Sequence, residues 1–283
     1  MIKLYHDTSF AISKKMTNAY STSFSLGIRA FAKEYREPIY AIYGFVRLAD
    51  EIVDSFHDFN KAELIKQFRN DTFEAIDKGI STNPILHSFQ KIVNEYKIDH
   101  QLIDAFLFSM EMDIDKSSYQ RNLYDKYIYG SAEVVGLMCL KIFVKGDDVK
   151  YKELEYPAKM LGSAFQKVNF LRDIRSDMDE RGRIYLPDID SPDKIDNNRK
   201  KQLEEEVDNE FKEALKGILK LPLGVELGVY SAYLYYYVLF QKIKSMDIKD
   251  LLKKRVRISN ITKLFLLLKS YWQIKVLKIG FEQ

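Results

Sequence analysis

Apolar residues recur at spacings of three and four along most of this chain, the period of helices that bury one face. Residues 60–78 show it well. Leu64, Ile65, Phe68, Phe73 and Ile76 share one side, Asn60 is placed to cap the start, and Gly79 to end the helix. Asn83 followed by Pro84 predicts another start, because proline at the first helical position gives up no hydrogen bond. Residues 201–219 repeat the pattern with Leu203, Val207, Phe211, Leu215 and Ile218 on one side, and their dense charge reads as a solvated face. Residues 38–56, PIYAIYGFVRLADEIVDSF, are apolar nearly all round, which predicts a helix buried inside a bundle. Six prolines, at 38, 84, 157, 187, 192 and 222, punctuate the chain. The one clear interruption is RGRIYLPDIDSPDKIDNN, whose prolines, glycine and clustered Asp and Asn predict a loop of roughly fifteen residues. In the last segment, ITKLFLLLKSYWQIKVLKIGF, the residues Leu264, Leu267, Leu268 and Tyr271 predict a packing stripe with a basic outer face, while the lysines leave peripheral membrane docking open. With no Gly/Ser linker, repeat or low-complexity tract, the expected fold class is all-α, as one domain over residues 1–283.

Composition narrows the function classes. Lys plus Arg number 44 against 41 Asp plus Glu, with no long basic run, which argues against a nucleic-acid partner. Cys139 is the only cysteine, so no intramolecular disulfide can form; it reads as a core thiol and fits a reducing cytoplasm. The N-terminal MIKLYHDTSF lacks the apolar core of a signal peptide, and no segment offers about 18 uninterrupted apolar residues, so a cytoplasmic protein, soluble or peripheral at a membrane, is expected.

Candidate chemistry sits on two helices. On the first, Tyr43, Arg47, Asp50 and Asp54 follow one another at four, three and four residues and fall on one stripe of an otherwise apolar helix, with Glu51 beside them. Such a pair of like charges is either a solvated acidic stripe or a buried site compensated by a cation or an arginine. Residues 162–177, GSAFQKVNFLRDIRSD, repeat the inventory: Gln166, Asn169, Asp173 and Asp177 share a stripe, with Arg172 alongside. Carboxylate oxygens of this kind suit magnesium, with manganese as the alternative ion, because such ions bind a few carboxylates together with substrate phosphate oxygens. Arginine adds bidentate contacts to phosphate. Two such helices facing each other would hold a diphosphate, and its departure from a hydrocarbon would leave a carbocation needing apolar and aromatic walls. Tyr233, Tyr235, Tyr236 and Tyr237 are candidates for such a wall. In YIYGSAEVVGLMCL, Gly130, Ser131, Ala132 and Gly136 thin one helix face, for a long substrate chain or for tight helix packing. The histidines, His6, His57, His87 and His100, are scattered without metal spacing, and no Walker A, G-x-S-x-G or G-x-G-x-x-G motif is present.

Four segments in this order resemble the squalene and phytoene synthases of the trans-isoprenoid synthase superfamily: YSTSF, YAIYGFVRLADEIVD, YIYGSAEVVGLMC and GSAFQKVNFLRDIRSDMDERGRIYLP. The chain departs from the family pattern at Glu51, where a second Asp is common, and at Glu133, where glycine is common. The resemblance implies a single isoprenoid-synthase helical bundle with a central cavity. It implies that Asp50, Asp54, Asp173 and Asp177, with Asn169, hold magnesium. It further implies that Tyr20, Ser21, Thr22, Ser23, Tyr43, Arg47, Gln166, Asn169, Arg172, Tyr236 and Arg255 contact diphosphate or prenyl chains. The implied reaction joins two geranylgeranyl diphosphates head to head into phytoene. NADPH is not expected, since no nucleotide fingerprint is visible, and phytoene is the expected product because no anchor of the kind expected of eukaryotic squalene synthases is read in this sequence. Squalene or dehydrosqualene synthesis from farnesyl diphosphate is the alternative. A terpene cyclase or chain-elongating enzyme would more often carry D-D-x-x-D, and a non-catalytic assembly factor would be expected to have lost carboxylates. Oligomeric state stays open.

Overall fold

The computed structural model describes residues 2–115, 118–189, 191, 194–253 and 255–276, nearly all of them in helices. Among these residues the only strand-like pairing is an isolated parallel bridge between Ser118 and Ile184. The first half of the chain wraps one helix. Around α3 (Lys33–Ser55) pack α1 (Ile2–Tyr20), α4 (Lys61–Lys78), α5 (Pro84–Tyr96), α6 (His100–Asp115) and α8 (Val134–Phe143), with the short α2 (Thr22–Arg29) between α1 and α3. Enclosed from Pro38 onward, α3 buries most of its residues there: Phe45 stacks on Phe89 of α5 at 3.8 Å between ring centroids and meets Phe68 of α4 and Phe106 of α6, each at 5.5 Å. Burying one such ring contributes about 1.5–3 kcal/mol. The stripe of Tyr43, Arg47, Asp50 and Asp54 lies on a side of α3 left half-buried.

The second half is built on α9 (Asp148–Arg181), which packs along α10 (Asn197–Ile218), against α8, and against the π-helical turn Tyr129–Glu133 that joins α7 (Arg121–Ile128) to α8. Then α11 (Glu226–Lys244) lies against α2, α9 and α10, and after the short α12 (Ile248–Leu251) the chain places α13 (Asn260–Tyr271) on α11.

Predicted starts and stops hold where side chains cap them. Asn60 Oδ1 accepts from the Glu63 amide at 3.2 Å and Gly79 adopts φ 67°, so α4 spans the expected residues. Asn83 Oδ1 accepts from the amides of Ile85 and Leu86, with Pro84 opening α5. The prolines at 38 and 157 differ from the pattern, since α3 begins five residues before Pro38 and α9 runs through Pro157. A proline inside a helix forfeits one bond and crowds the preceding turn, at about 3 kcal/mol. At Pro157 packing accommodates the ring: a Cβ on Gly217 of α10 would lie 2.2 Å from Pro157 Cβ, so only glycine lets α10 cross there.

Two surface assignments change. The charge run of α10 is not wholly solvated, because Lys200 and Glu204 are buried together and Glu206 and Glu210 turn to the buried Lys167 Nζ at 3.1 and 2.5 Å. And α13 does not bury the stripe read from its sequence: Leu264, Leu268 and Tyr271 are exposed, whereas Leu266, Ser270 and Ile274 face the bundle. Residues 277–281 of that predicted segment, and Pro192 of the predicted loop, lie outside the described residues.

Candidate active site

The two carboxylate stripes lie on α3 and α9, as their spacing requires, and each is compensated by arginine. On α3, Arg47 pairs with Glu51 and lies 4.0 Å from Asp50 Oδ2, while its guanidinium sits 4.4 Å from the centroid of the Tyr20 ring. Burial would raise the Glu51 carboxyl, yet hydrogen bonds from Ser55 and Arg47, the Arg47 charge and Tyr20 hold it below the ordinary range. The Glu51 departure thus serves the arginine. One turn further, Asp54 Oδ1 accepts from Arg183 Nη1 at 3.1 Å. On α9, Asp173 lies between two arginines: Arg172 Nε donates at 3.0 Å, and Arg255 Nε approaches at 2.6 Å. Asp177 is buried, and lines a small cavity with Phe170, Arg183 and Tyr185.

Neutral and aromatic groups complete the surroundings. Tyr236 of α11 donates to Asn169 Oδ1 at 3.2 Å, and Asn169 Nδ2 donates to Gln166 Oε1 at 3.3 Å, so these three meet on one side of α9. The Tyr236 ring stacks on Phe165 at 4.0 Å, and its neighbours include Arg172 and the Tyr43 hydroxyl of α3. Tyr43 stacks on Phe24 at 4.5 Å. Burial raises the Tyr43 phenol above its usual range, partly offset by the Ser21 hydroxyl and the Arg47 charge. Ser21 also caps α2, accepting from the Phe24 amide at 3.2 Å. Thr22 and Ser23 lie in α2, with side chains outside the described residues.

The structure therefore brings Tyr20, Ser21, Tyr43, Arg47, Asp50 and Asp54 together on one side, and Gln166, Asn169, Arg172, Asp173, Tyr236 and Arg255 on the other. Of the four candidate tyrosines, Tyr233 and Tyr237 instead pack on Phe211 of α10. Gly130 and Gly136 serve helix packing: a Cβ would fall 2.5 Å from the Ala105 carbonyl and 3.1 Å from that of Ala158. Nor are the histidines all scattered. His6 Nδ1 lies 2.7 Å from His87 Nε2, and because the Ser81 amide donates to His87 Nδ1, the shared proton belongs to His87 Nε2.

One cluster had no readable sequence signal. Buried Asp113 of α6 accepts from the hydroxyls of Tyr119, Tyr127 and Tyr185 at 3.0, 2.8 and 2.9 Å, and Arg183 bridges it, at 3.8 Å, to Asp54. A lone aspartate within LFSMEMDI and an arginine in a segment read as loop gave no pattern to connect.

Among the described residues, no three Asp, Glu, His or Cys groups converge closely enough to hold a metal by themselves. The donor set nonetheless suits a hard divalent cation. Its members are carboxylate and amide oxygens on two helices, and the arginines beside them would share a polyanion that supplies the remaining oxygen ligands.

Known proteins resemble this chain in sequence and in fold. The chain is 31% identical over 265 residues to phytoene synthase 1, chloroplastic, of Arabidopsis thaliana, a match covering 83% of this chain and 60% of that protein. It is 29% identical over 191 residues to the phytoene synthase of Arthrospira platensis, covering 63% and 61% respectively. The chain thus spans about 60% of the length of these relatives. In fold, it resembles a dehydrosqualene synthase solved with a ligand (TM-score 0.78, 20% identity, covering 95% of this chain and 98% of that one) and a squalene synthase from Alicyclobacillus acidocaldarius (TM-score 0.75, 18% identity, covering 86% and 95%). The family profile described as squalene/phytoene synthase matches residues 17–262, and with both carboxylate stripes inside that span, the chain belongs to the squalene/phytoene synthase family.

Proposed function

We propose that this chain is a divalent-metal-dependent prenyltransferase that condenses two geranylgeranyl diphosphates head to head into phytoene, with release of two diphosphates and two protons. One observation carries the reading: two Asp pairs at i,i+4, half-buried except for the buried Asp177, stand on α3 and α9, each with its arginine, beside Tyr43 and Tyr236. Asp50, Asp54, Asp173 and Asp177, with Asn169, would hold magnesium, whose chemistry there is to draw negative charge from the leaving diphosphate. Arg47, Arg172 and Arg255, now paired with carboxylates, would turn to the diphosphate oxygens. Breaking the allylic C–O bond of one substrate leaves a cation. The double bond of the second attacks it, and loss of a proton closes a cyclopropylcarbinyl diphosphate. That intermediate ionises, rearranges and loses a second proton to the released diphosphate or another base. The rings of Phe24, Tyr43, Phe165 and Tyr236 would exclude water and face the cations with their π electrons. Relatives named phytoene synthase favour the longer substrate over farnesyl diphosphate.

The test is to incubate purified protein and magnesium with geranylgeranyl or farnesyl diphosphate, with and without NADPH, and to identify the hydrocarbon by mass. Phytoene without NADPH is the expected product. Squalene formed only with NADPH would overturn the assignment while leaving head-to-head joining intact. Asp50→Asn and Asp173→Asn should each reduce turnover by orders of magnitude, about 10²-fold or more, with circular dichroism unchanged.

A further inference from the structure

The helix α13 presents its apolar face outward. Ile261, Leu264, Phe265, Leu268, Tyr271 and Trp272, spaced three, one, three, three and one apart, are 52–83% exposed and form one continuous stripe. The opposite side is already in use: Leu266, Ser270 and Ile274 are buried, the helix packs on α11, and Tyr230 donates to Gln273 at 3.3 Å. Large exposed hydrophobics at helical spacing on one face mark an interaction surface, unlike single exposed residues.

Charge says what covers it. From Lys242 to Lys275 the sequence holds ten Lys and Arg against two Asp and no Glu, a net charge of +8 in a chain whose total is +3. The rest of the protein is therefore net acidic, and the positive charge is gathered in the segment that carries the apolar stripe. Lys269 lies on the exposed side, and Lys263 reaches over the Tyr235 ring at 5.5 Å. An aliphatic and aromatic stripe within a basic segment, with Tyr and Trp at one end, matches an anionic bilayer surface. The rings and aliphatic chains enter below the headgroups while the ammonium groups stay at the phosphates. A second copy of the chain would instead bring two strongly positive segments together. We propose that α13 docks this protein on an anionic lipid surface through Ile261, Leu264, Phe265, Leu268, Tyr271 and Trp272. Arg255, five residues before α13, pairs with Asp173, so the docked helix adjoins the rim of the candidate active site. That position suits a hydrocarbon product, though the docking rests on the surface alone.

Trp272 is the sole tryptophan and reports directly on this face. Phosphatidylcholine vesicles containing phosphatidylglycerol should carry the protein upward in a density gradient and shift Trp272 emission to the blue, with brominated acyl chains quenching it. Phosphatidylcholine alone should bind about tenfold less, and added salt should weaken the anionic case. Combined Leu264→Ser, Phe265→Ser and Leu268→Ser should lower binding at least about tenfold without changing circular dichroism, and Lys269→Glu should lower it less. Asp50→Asn should bind like the unaltered protein, so docking and reaction fail separately. Protein that stays at the bottom of the gradient with unshifted emission overturns the proposal. So does a dimer, seen by light scattering, that the triple substitution separates, since the face would then bind a second copy.

Discussion

Glu133 shows how one residue can carry a pH dependence. It sits in the π-turn, where burial, helped by the nearby Glu210 carboxylate, raises its pKa from 4.5 to about 7 against the opposing charges of Lys159 and Lys167. A carboxyl raised in the folded state binds its proton more tightly there than in the unfolded chain. Its contribution is therefore fully present below about pH 4.5 and is lost as pH rises through about 7. Because the side chain is partly solvated, the loss is discounted to about 1–2 kcal/mol. Glu133→Gln should flatten this part of the stability–pH profile in urea titrations and raise stability at alkaline pH; an unchanged slope would show that Glu133 is effectively solvated. The carboxylate stripes were legible at this same scale, because helical spacing puts Asp50 with Asp54 and Asp173 with Asp177 whatever surrounds them. The partners of Asp54 and Asp113 were not, since Arg183 reaches them from 129 and 70 positions away.

Between elements, close approach decides which glycines matter. Along α9 and α10, Gly217 lies over Pro157, and a methyl group there would overlap the ring at 2.2 Å. Alanine gains about 1 kcal/mol of helix propensity over glycine, but separating two packed helices costs about 1–3 kcal/mol. Gly217→Ala should therefore destabilise, lowering the urea midpoint without altering the slope. In α2, Gly27 would meet nothing within 4 Å, so Gly27→Ala should stabilise by about 0.5–1 kcal/mol. Opposite signs for these two substitutions would separate contact from propensity. Caps such as Asn60 and Asn83 were readable because they act within three residues, whereas which face of α13 would be covered depended on where α11 lies.

For the whole molecule, the candidate site is an electrostatic balance between two helices that a ligand should shift. Arginines hold carboxylates on both sides, so a divalent cation and a diphosphate arriving together would pair with groups that now satisfy one another. Any ligand that binds only the folded state stabilises it by mass action, about 2.7 kcal/mol at a hundredfold excess over Kd. Inorganic diphosphate with magnesium should raise the thermal midpoint by several degrees, roughly 2–4 °C per kcal/mol. Either component alone should do much less, and chelator should abolish the shift. An equal shift from diphosphate without a divalent cation would show that the arginines alone form the site. The sequence by itself determined the helices, their caps and the two acidic stripes, because periodicity, capping and i,i+4 alignment are set within a few turns. Only the tertiary structure decided that the Asp113–Arg183–Asp54 chain exists, that Lys167, Glu206 and Glu210 are joined inside the bundle, and that α13 turns its hydrophobic stripe outward. Each of these depends on the distance and rotation between helices far apart in the chain, which the packing of their side chains sets and no local pattern encodes.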